Sequence, residues 1–304
     1  MSHRPSNRAR DPELVESKPL SLRRRKVMKR RFDQVDVFSA TPLMGNPLAV
    51  VHSAEGLDDA TMQALARWTN LSETSFLLPP DDRAADYRLR IYTPAGELPF
   101  AGHPTLGSCA AWLAAGGVSK DREVVIQECG AGLVTIRRQG ARLAFAAPPL
   151  RRSGPLDETL LSQIASGIGL DRHAIDAHQW VDNGAGWCAV MLRAAADVLA
   201  VQPIWDRLAG LKVGLLGPQL PGTDSQFEVR ALTSMLGGRE DPVTGSLNAG
   251  IAQWLIGAGL APAHYVAAQG TLLGRQGRIH VDHDGTDCWI GGDLAFCVRG
   301  TIEL

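Results

Sequence analysis

Two glycine-containing turns stand before the two most apolar stretches of the chain. They read Gly102-His103-Pro104-Thr105 and Thr244-Gly245-Ser246, and each opens a segment that we predict to be helical. A helix N-terminus presents free N–H groups and a partial positive charge, and glycine lets a ligand approach the backbone closely. Plain capping by Thr105 or Ser246 would explain either turn alone. Because the turns match in the two halves, together they favour a site for an anion or carboxylate between two domains.

Ionisable residues lie in loops near these turns. His103 stands at the first helix start, Asp241 precedes the second helix by a few residues, and Glu73 lies between a predicted helix and a predicted strand. Taken singly, Glu73 is more typical of a solvated charge at a strand entrance, and Asp241 of a capping residue. The residues alone leave a structural and a catalytic explanation open.

The five cysteines are odd in number and show no C-x-x-C spacing. This pattern indicates neither a disulfide framework nor a zinc site, and it favours a reducing, cytoplasmic compartment. Cys109 falls inside the first apolar helix, where we expect a buried, small apolar side chain. The run His280–Asp284 has metal-binding residue types, but its polar residues alternate ahead of a turn, which predicts a solvated hairpin rather than a metal site. No phosphate-binding glycine motif supports nucleotide chemistry.

The net charge of −1 hides an asymmetry. Residues 1–31 carry a net charge of +8 and the other 273 residues a net charge of −9. The basic segment lacks the apolar core of a signal peptide and has no aromatic residue to stack on bases. We therefore expect a disordered extension, upstream of a start at Met28, rather than a nucleic-acid arm. Ordered sequence should begin at Phe32, and from Met28 onwards the net charge is −6.

Two long stretches contain no Asp, Glu, Lys or Arg, namely Leu98–Ser119 and Pro242–Gly274. Their length would suit a membrane span, but both contain proline and histidine. We predict instead two helices buried on all sides, Pro104–Ala115 and Ser246–Gly257.

Hydrophobic periodicity and turn signals assign the remaining elements. In the first half we predict a helix over Asp58–Thr69 and strands over Phe32–Phe38, Leu48–His52, Thr74–Leu78, Tyr87–Tyr92, Val124–Ile126, Leu133–Arg137 and Arg142–Ala146, with a loop over Thr93–Gly102. In the second half we predict a helix over Leu156–Ile168, strands over Cys188–Leu192 and Phe227–Leu232, a loop from Thr233 to Thr244, and strands after the second buried helix.

A local repeat links the halves. Arg90-Ile91-Tyr92-Thr93 matches Arg230-Ala231-Leu232-Thr233, and each is followed by a loop and a helix of small residues. The repeat predicts two similar domains, each a curved sheet wrapped round an apolar helix.

The motifs together resemble the phenazine-biosynthesis (PhzF-like) isomerase family. The matching segments are Phe32–Val51 (FDQVDVFSATPLMGNPLAVV), Ser72–Phe76 (SETSF), Arg90–Gly107 (RIYTPAGELPFAGHPTLG) and Glu240–Ser246 (EDPVTGS). The resemblance runs from about Phe32 to the C-terminus, with Gln269-Gly270 and the closing Gly291–Ile302 segment included, and it excludes the basic extension.

The resemblance implies an α+β, diaminopimelate-epimerase-like fold, with two similar domains that each hold a mostly antiparallel curved sheet or barrel around a central helix. We expect a basic extension over residues 1–27, domains over residues 28–148 and 149–304, and a last few residues that return to the first domain. The resemblance also implies a cofactor-independent isomerase, commonly a homodimer, and we expect its substrate to be a small carboxylated metabolite. The residue patterns described above add a cytoplasmic location, no metal site, and no membrane or nucleic-acid partner.

By the same resemblance, the family's functional residues fall on matching positions. They are the catalytic glutamate Glu73, and the substrate-binding residues His103, Asp241, Ser246, Gly102 and Gly245. The reaction that names the family moves a proton between ring carbons of trans-2,3-dihydro-3-hydroxyanthranilate. Such a transfer needs one base that can turn acid, held dry and close to both carbons. Related epimerases use two cysteines at the helix starts, which this chain lacks, so two-thiol racemisation is not expected. The alternative is a non-catalytic binding or regulatory protein that retains the family cleft.

Overall fold

The computed structural model describes residues 27–233 and 239–304, and in this part of the chain strands outnumber helices. The helices are α1 Asp59–Thr69, α2 Gly102–Ala114, α3 Glu158–Ile168, α4 Ala195–Ala200 and α5 Gly245–Gly257. The strands are β1 Lys29–Val37, β2 Asn46–Val51, β3 Thr74–Leu78, β4 Tyr87–Tyr92, β5 Glu97–Leu98, β6 Val124–Cys129, β7 Gly132–Gln139, β8 Arg142–Ala146, β9 Ile175–Trp180, β10 Cys188–Leu192, β11 Lys212–Pro218, β12 Phe227–Thr233, β13 Arg239–Asp241, β14 His264–Gln269, β15 Gly277–His283, β16 Cys288–Gly292 and β17 Leu294–Glu303.

The element order repeats. The series β1-β2-α1-β3-β4-β5-α2-β6-β7-β8 has the same pattern as β9-β10-α4-β11-β12-β13-α5-β14-β15-β16. Parallel pairs occur at equivalent places, β2 with β3 and β4 with β6, then β10 with β11 and β12 with β14; the other ladders are antiparallel. The final strand β17 pairs with β1. This is the predicted α+β arrangement, while the division between residues 148 and 149 stays a prediction.

The strand registers align the two halves of the repeat residue by residue. In the β4–β5 hairpin Ile91 pairs with Leu98, and in the β12–β13 hairpin Ala231 pairs with Asp241. Each hairpin then leads into a buried helix, α2 or α5. Arg90 directly precedes Ile91, and Arg230 directly precedes Ala231. The two arginines therefore occupy equivalent positions in the repeat.

The two apolar helices are buried as predicted. Helix α2 packs against β1, β2 and β8, helix α5 packs against β15 and β16, and the two helices touch each other. Leu106 of α2 and Leu247, Ile251 and Leu255 of α5 belong to one hydrophobic core that also takes in strands of both halves. No helix in the described ranges combines the length and apolarity that crossing a membrane requires.

The start of the ordered chain was predicted too late. Strand β1 begins at Lys29 rather than at Phe32, because its first three residues, Lys29–Arg31, already pair with the end of β17, before the pairing with β2 starts at Phe32. Arg30, one of the residues assigned to the basic segment, is buried, and its Nη2 donates to the Glu55 carbonyl oxygen at 2.9 Å. The predicted extension otherwise falls on residues 1–26, which lie outside the described residues.

Five elements escaped prediction. Short strands β5 and β13 occupy segments predicted to be loops, and strands β9 and β11 and helix α4 were also missed. Strand β11 carries two glycines and ends in proline, which are rare in strands. One of those glycines, Gly214, is needed for close packing, since a Cβ there would lie 2.6 Å from Leu247 Cδ1.

The predicted hairpin at His280–Asp284 is present. Strand β15 pairs with β16 in an antiparallel ladder that joins His280 to Gly291. In the connecting turn, Asp284 Oδ1 accepts hydrogen bonds from the backbone N–H groups of Thr286 and Asp287 at 3.0 and 2.9 Å.

Candidate active site

The N-termini of α2 and α5 meet backbone to backbone. A Cβ built on Gly245 would lie 3.3 Å from the His103 nitrogen and 3.5 Å from Gly102 Cα. Neither helix start receives a side-chain capping hydrogen bond, so capping by Thr105 or Ser246 was the wrong explanation. Two sets of N–H groups without intrahelical partners, and two partial positive charges, therefore converge on one place.

Glu73 reaches this place from the loop after α1. Asn70 caps the C-terminus of α1 in a left-handed conformation, with a φ of 53°, and the chain then turns into β3. Glu73 Oε2 lies 3.0 Å from His103 Nδ1, and the two side chains are 17% and 5% exposed. A carboxylate so placed is largely screened from water, although part of it remains exposed.

The other ring nitrogen of His103 is buried and has no hydrogen-bond partner among the described residues. A buried polar atom left unpaired costs roughly 1–3 kcal/mol, which a bound ligand with a polar group would offset. His103 thus contacts Glu73 through Nδ1, while its Nε2 stays without a hydrogen-bond partner among the described residues.

Asp241 completes an acidic pair at the end of β13. Its carboxylate accepts from Thr244 Oγ1 at one oxygen, and from Asn46 Nδ2 at 3.3 Å and Ser72 Oγ at 3.4 Å at the other. Burial and the negative charge of Glu73 raise the pKa of Asp241 to about 6, against the opposing effects of Thr244, His103 and Asn46. Asp241 therefore keeps its proton to a higher pH than an exposed aspartate does.

Gln269, at the end of β14, holds the loop between Asp241 and α5. Its Oε1 accepts from the Thr244 backbone N–H at 3.0 Å and from Asn248 Nδ2 at 2.8 Å. Its Nε2 donates to the Asp241 carbonyl oxygen and to Thr244 Oγ1, both at 3.0 Å. The side chain is fully buried, so all four bonds are shielded from water.

Ser246 is held by two side chains from the loop between β9 and β10. Its Oγ accepts from Trp187 Nε1 at 3.1 Å, and its carbonyl oxygen accepts from Asn183 Nδ2 at 2.8 Å. Since a hydroxyl can donate as well as accept, the Ser246 proton remains available to a ligand oxygen.

The structure brings the predicted residues to the meeting point of α2 and α5. They are Glu73, Gly102, His103, Asp241, Gly245 and Ser246. The partners that hold them were not predicted: Asn46, Ser72, Trp187 and Gln269. Three of them, Asn46, Ser72 and Gln269, stand in segments that the family resemblance includes, whereas Trp187 left no signal in the sequence.

The thiol within α2 is unsuited to proton transfer. Cys109 is fully buried, as predicted, and burial raises its pKa to about 12. A thiol acts as a base only when ionised, so Cys109 would be inert at neutral pH.

A polar cavity of about 320 Å³ lies away from the six predicted residues. Its lining includes Arg142, Arg278, Asp224 and Asp293. Arg142 pairs with Asp293 at 3.1 Å and Arg278 pairs with Asp224 at 2.9 Å, so the cavity's two arginines already have counter-ions. It offers weaker chemistry than the helix meeting point.

Comparisons with known proteins agree with this arrangement. The profile of the family described as phenazine biosynthesis-like proteins matches residues 35–293. A protein of Schizosaccharomyces pombe named antisense-enhancing sequence 1 is 34% identical, over 88% of this chain and 97% of its own length. A Mesorhizobium japonicum protein named as an uncharacterized isomerase is 36% identical, over 83% of this chain and 90% of its own length.

The trans-2,3-dihydro-3-hydroxyanthranilate isomerase of Pseudomonas aeruginosa is 30% identical, over 84% of this chain and 91% of its own length. Among solved structures, a PhzF-family phenazine biosynthesis protein of Enterococcus faecalis covers 91% of this chain and 100% of its own, with a TM-score of 0.76 at 23% identity. A hydroxyproline epimerase of Agrobacterium vitis covers 91% and 93%, with a TM-score of 0.53 at 14% identity. The predicted diaminopimelate-epimerase-like fold is thereby confirmed.

Proposed function

This chain belongs to the phenazine biosynthesis-like family and is an isomerase, and from that premise we propose that Glu73 moves a proton between carbon atoms of a small carboxylated metabolite, without a cofactor. The 30% identical relative from Pseudomonas aeruginosa carries the name of an isomerase of an amino-carboxylate ring compound. We extend to this chain only the substrate class, a small molecule with a carboxylate.

The observation that carries the proposal is the position of Glu73. Its carboxylate lies 3.0 Å from His103 Nδ1, is 17% exposed, and stands where two helix N-termini converge. A carbon acid needs a base close to the C–H bond and a positive environment for the negative charge that develops on the substrate. A residue that only bound a ligand would not need to be an acid facing these positive helix ends.

Each neighbouring group has a role in the proposed reaction. Glu73 removes the proton and returns it to another carbon. His103, through its unpaired nitrogen, and Asp241 orient the polar substituents of the substrate. Ser246 and the N–H groups at Gly102 and Gly245 stabilise the carboxylate or the enolate-type oxygen as charge develops there.

Solvent exchange tests the proposal directly. We would incubate the protein in D₂O with trans-2,3-dihydro-3-hydroxyanthranilate and with other small carboxylates that raise its melting temperature, and follow deuterium incorporation by mass spectrometry. Wild type should incorporate deuterium at carbon, and Glu73→Gln should lose at least 100-fold of the exchange rate while still binding. Glu303→Gln removes the same charge from exposed strand β17 and should behave as wild type.

Two results would contradict the proposal. Exchange at the wild-type rate in Glu73→Gln would remove Glu73 from the reaction. Binding of several carboxylates without exchange into any of them would favour the alternative, a non-catalytic binding or regulatory protein. A homodimer, implied by the family resemblance, and a cytoplasmic location, inferred from the cysteine pattern, remain separate proposals.

A further inference from the structure

Lys212 stands at the position of the second half that is equivalent to Glu73. Arg90 and Arg230 are equivalent in the repeat, so the residues two further along β4 and β12 are equivalent as well. The strand partners at that point are Tyr92 with Thr74 and Leu232 with Val213. Glu73 directly precedes Thr74, and Lys212 directly precedes Val213, so the two residues are equivalent. An acid and a base therefore occupy matching places on the two sides of the helix meeting point.

The Lys212 side chain lies on the face of β11 that packs on α5. Side chains two residues apart share a strand face, and Gly214 faces the first turn of α5 so closely that a Cβ would lie 2.6 Å from Leu247. Lys212 Nζ donates to the Ala185 carbonyl oxygen at 2.8 Å and lies 5.9 Å from the centre of the Trp187 ring. That tryptophan is the residue whose indole N–H holds Ser246 Oγ.

Within residues 27–233 and 239–304, the Lys212 ammonium is held by a carbonyl oxygen and an aromatic ring rather than by a carboxylate. Lys212 is partly buried, and it takes part in no ion pair with the residues that the structure describes. Burial lowers its pKa from the usual value, against the attraction of Asp182 and Glu73. Asp182 does not form a direct pair with it and uses one carboxylate oxygen to accept from the N–H groups of Gly184 and Gly186. Among the described residues Nζ has one hydrogen-bond acceptor, the Ala185 carbonyl oxygen, so two of its three N–H donors remain for another acceptor.

We propose that Lys212 binds the carboxylate of the substrate, together with Ser246, and so makes this isomerase specific for carboxylates over the corresponding amides. This inference rests on the proposed function, because it names the group that selects the substrate of the same site. The carboxylate then lies on the α5 side of the cleft, and the remainder of the molecule extends across the helix ends towards Glu73 and the unpaired nitrogen of His103.

Paired carboxylate and amide probes test the role of Lys212. By isothermal titration calorimetry we would measure anthranilate, benzoate and succinate, each beside its amide, on wild type, Lys212→Met, Lys212→Arg and Lys120→Met. Lys120 is the matched control, because it also donates to loop carbonyl oxygens, those of Arg83 and Ala85, both at 2.6 Å. At least one carboxylate should bind Lys212→Met at least tenfold more weakly than it binds wild type, whereas the Kd of its amide should change less than threefold. Lys212→Arg should recover part of the lost affinity.

The inference fails if no carboxylate in the set binds wild type at least tenfold more tightly than Lys212→Met, or if amides lose as much as carboxylates. The second result would assign Lys212 to holding the loop at Ala185. Failure here is distinct from failure of the proposed function. Deuterium exchange that depends on Glu73 but not on Lys212 would overturn only this inference, whereas Lys212-dependent carboxylate binding without exchange would overturn only the isomerase mechanism.

Discussion

The side-chain amide nitrogen of Gln269 lies 3.0 Å from the carbonyl oxygen of Asp241. This hydrogen bond holds the loop that carries the Asp241 carboxylate. The same amide bonds the Thr244 backbone at the start of α5. Gln269 therefore fixes the spacing between an acidic residue of the site and the helix whose N-terminus faces it, although it does not itself have to touch a substrate.

Replacing Gln269 should impair catalysis by displacing Asp241. We expect Gln269→Leu to lower kcat by 10- to 100-fold with a smaller change in KM, because the carboxylate is repositioned rather than removed. It should also move the limb of the pH–rate profile that reports the pKa of Asp241. Gln127→Leu is the control. Gln127 lies on β6, the strand equivalent to β14, and its side chain is hydrogen-bonded to Thr105 Oγ1 and to the Tyr87 hydroxyl. An unmoved pH profile in Gln269→Leu would reduce Gln269 to a packing role.

Removing the Glu73 charge should change the titration of Asp241. The pKa of Asp241 is raised to about 6 first by burial and next by the negative charge of Glu73. In Glu73→Gln the second cause is absent, so the Asp241 pKa should fall below about 6 and remain above 3.8, because burial persists. Carboxyl-carbon NMR with labelled aspartate measures it. A pKa that stays at 6 or rises would show that the two carboxyls do not interact.

The sequence was enough to predict the parts of this site that depend on local pattern. The two buried helices follow from uncharged stretches, and Gly102 and Gly245 follow from their turns. Lys212 could not be predicted, because its importance depends on the register of β11 against β12, and its strand contains glycines that weaken the pattern. Gln269 is an ordinary residue at a strand end until the loop after β13 folds against it. Tertiary pairing, which no local window contains, decides both.

The raised pKa of Asp241 also predicts a pH-dependent cost in stability. The folded protein holds this proton up to about pH 6, whereas an unfolded aspartate releases it near 3.8. Unfolding therefore releases a proton between these values, and stability falls as the pH rises through that window. Asp241→Asn removes this cost, so above pH 6 the free energy of unfolding of the variant should exceed that of wild type by about 3 kcal/mol.

Melting curves of wild type and Asp241→Asn at pH 4, 5, 6 and 7.5 would measure this effect. The advantage of the variant should grow from pH 4 to pH 6 and then level off, while its activity is lost. A difference in melting temperature that is constant across this range would contradict the raised pKa.

The repeat provides a matched test of a buried and an exposed ion pair. Arg230 binds Glu240 with both side chains under 7% exposed, and it also donates to the Val198 and Val201 carbonyl oxygens. Its equivalent, Arg90, binds Glu97, which is 41% exposed. Arg230→Met strands a buried carboxylate and should cost about 3–5 kcal/mol. Arg90→Met should cost no more than about 1 kcal/mol.

Chemical denaturation of the two variants in parallel would measure both costs. Arg230→Met/Glu240→Leu should recover much of the stability, because it removes the stranded charge along with its partner. Equal losses in the two single variants would show that burial does not separate the pairs. Because Glu240 precedes Asp241, the single variant at 230 should also be less active.

The two helix-start glycines should respond differently to an added methyl group. At Gly102 a Cβ would stand 2.3 Å from Phe145 Cζ, so Gly102→Ala forces a core ring to move and should destabilise the protein by about 1–3 kcal/mol. At Gly245 the three atoms nearest to a Cβ would be backbone atoms of α2, with the His103 nitrogen closest at 3.3 Å. Gly245→Ala should keep its melting temperature, since alanine also favours the helix. The methyl would nevertheless fill the gap between the helix ends, and we expect kcat/KM for deuterium exchange to fall at least 100-fold. Near-wild-type exchange in Gly245→Ala would show that the substrate lies elsewhere.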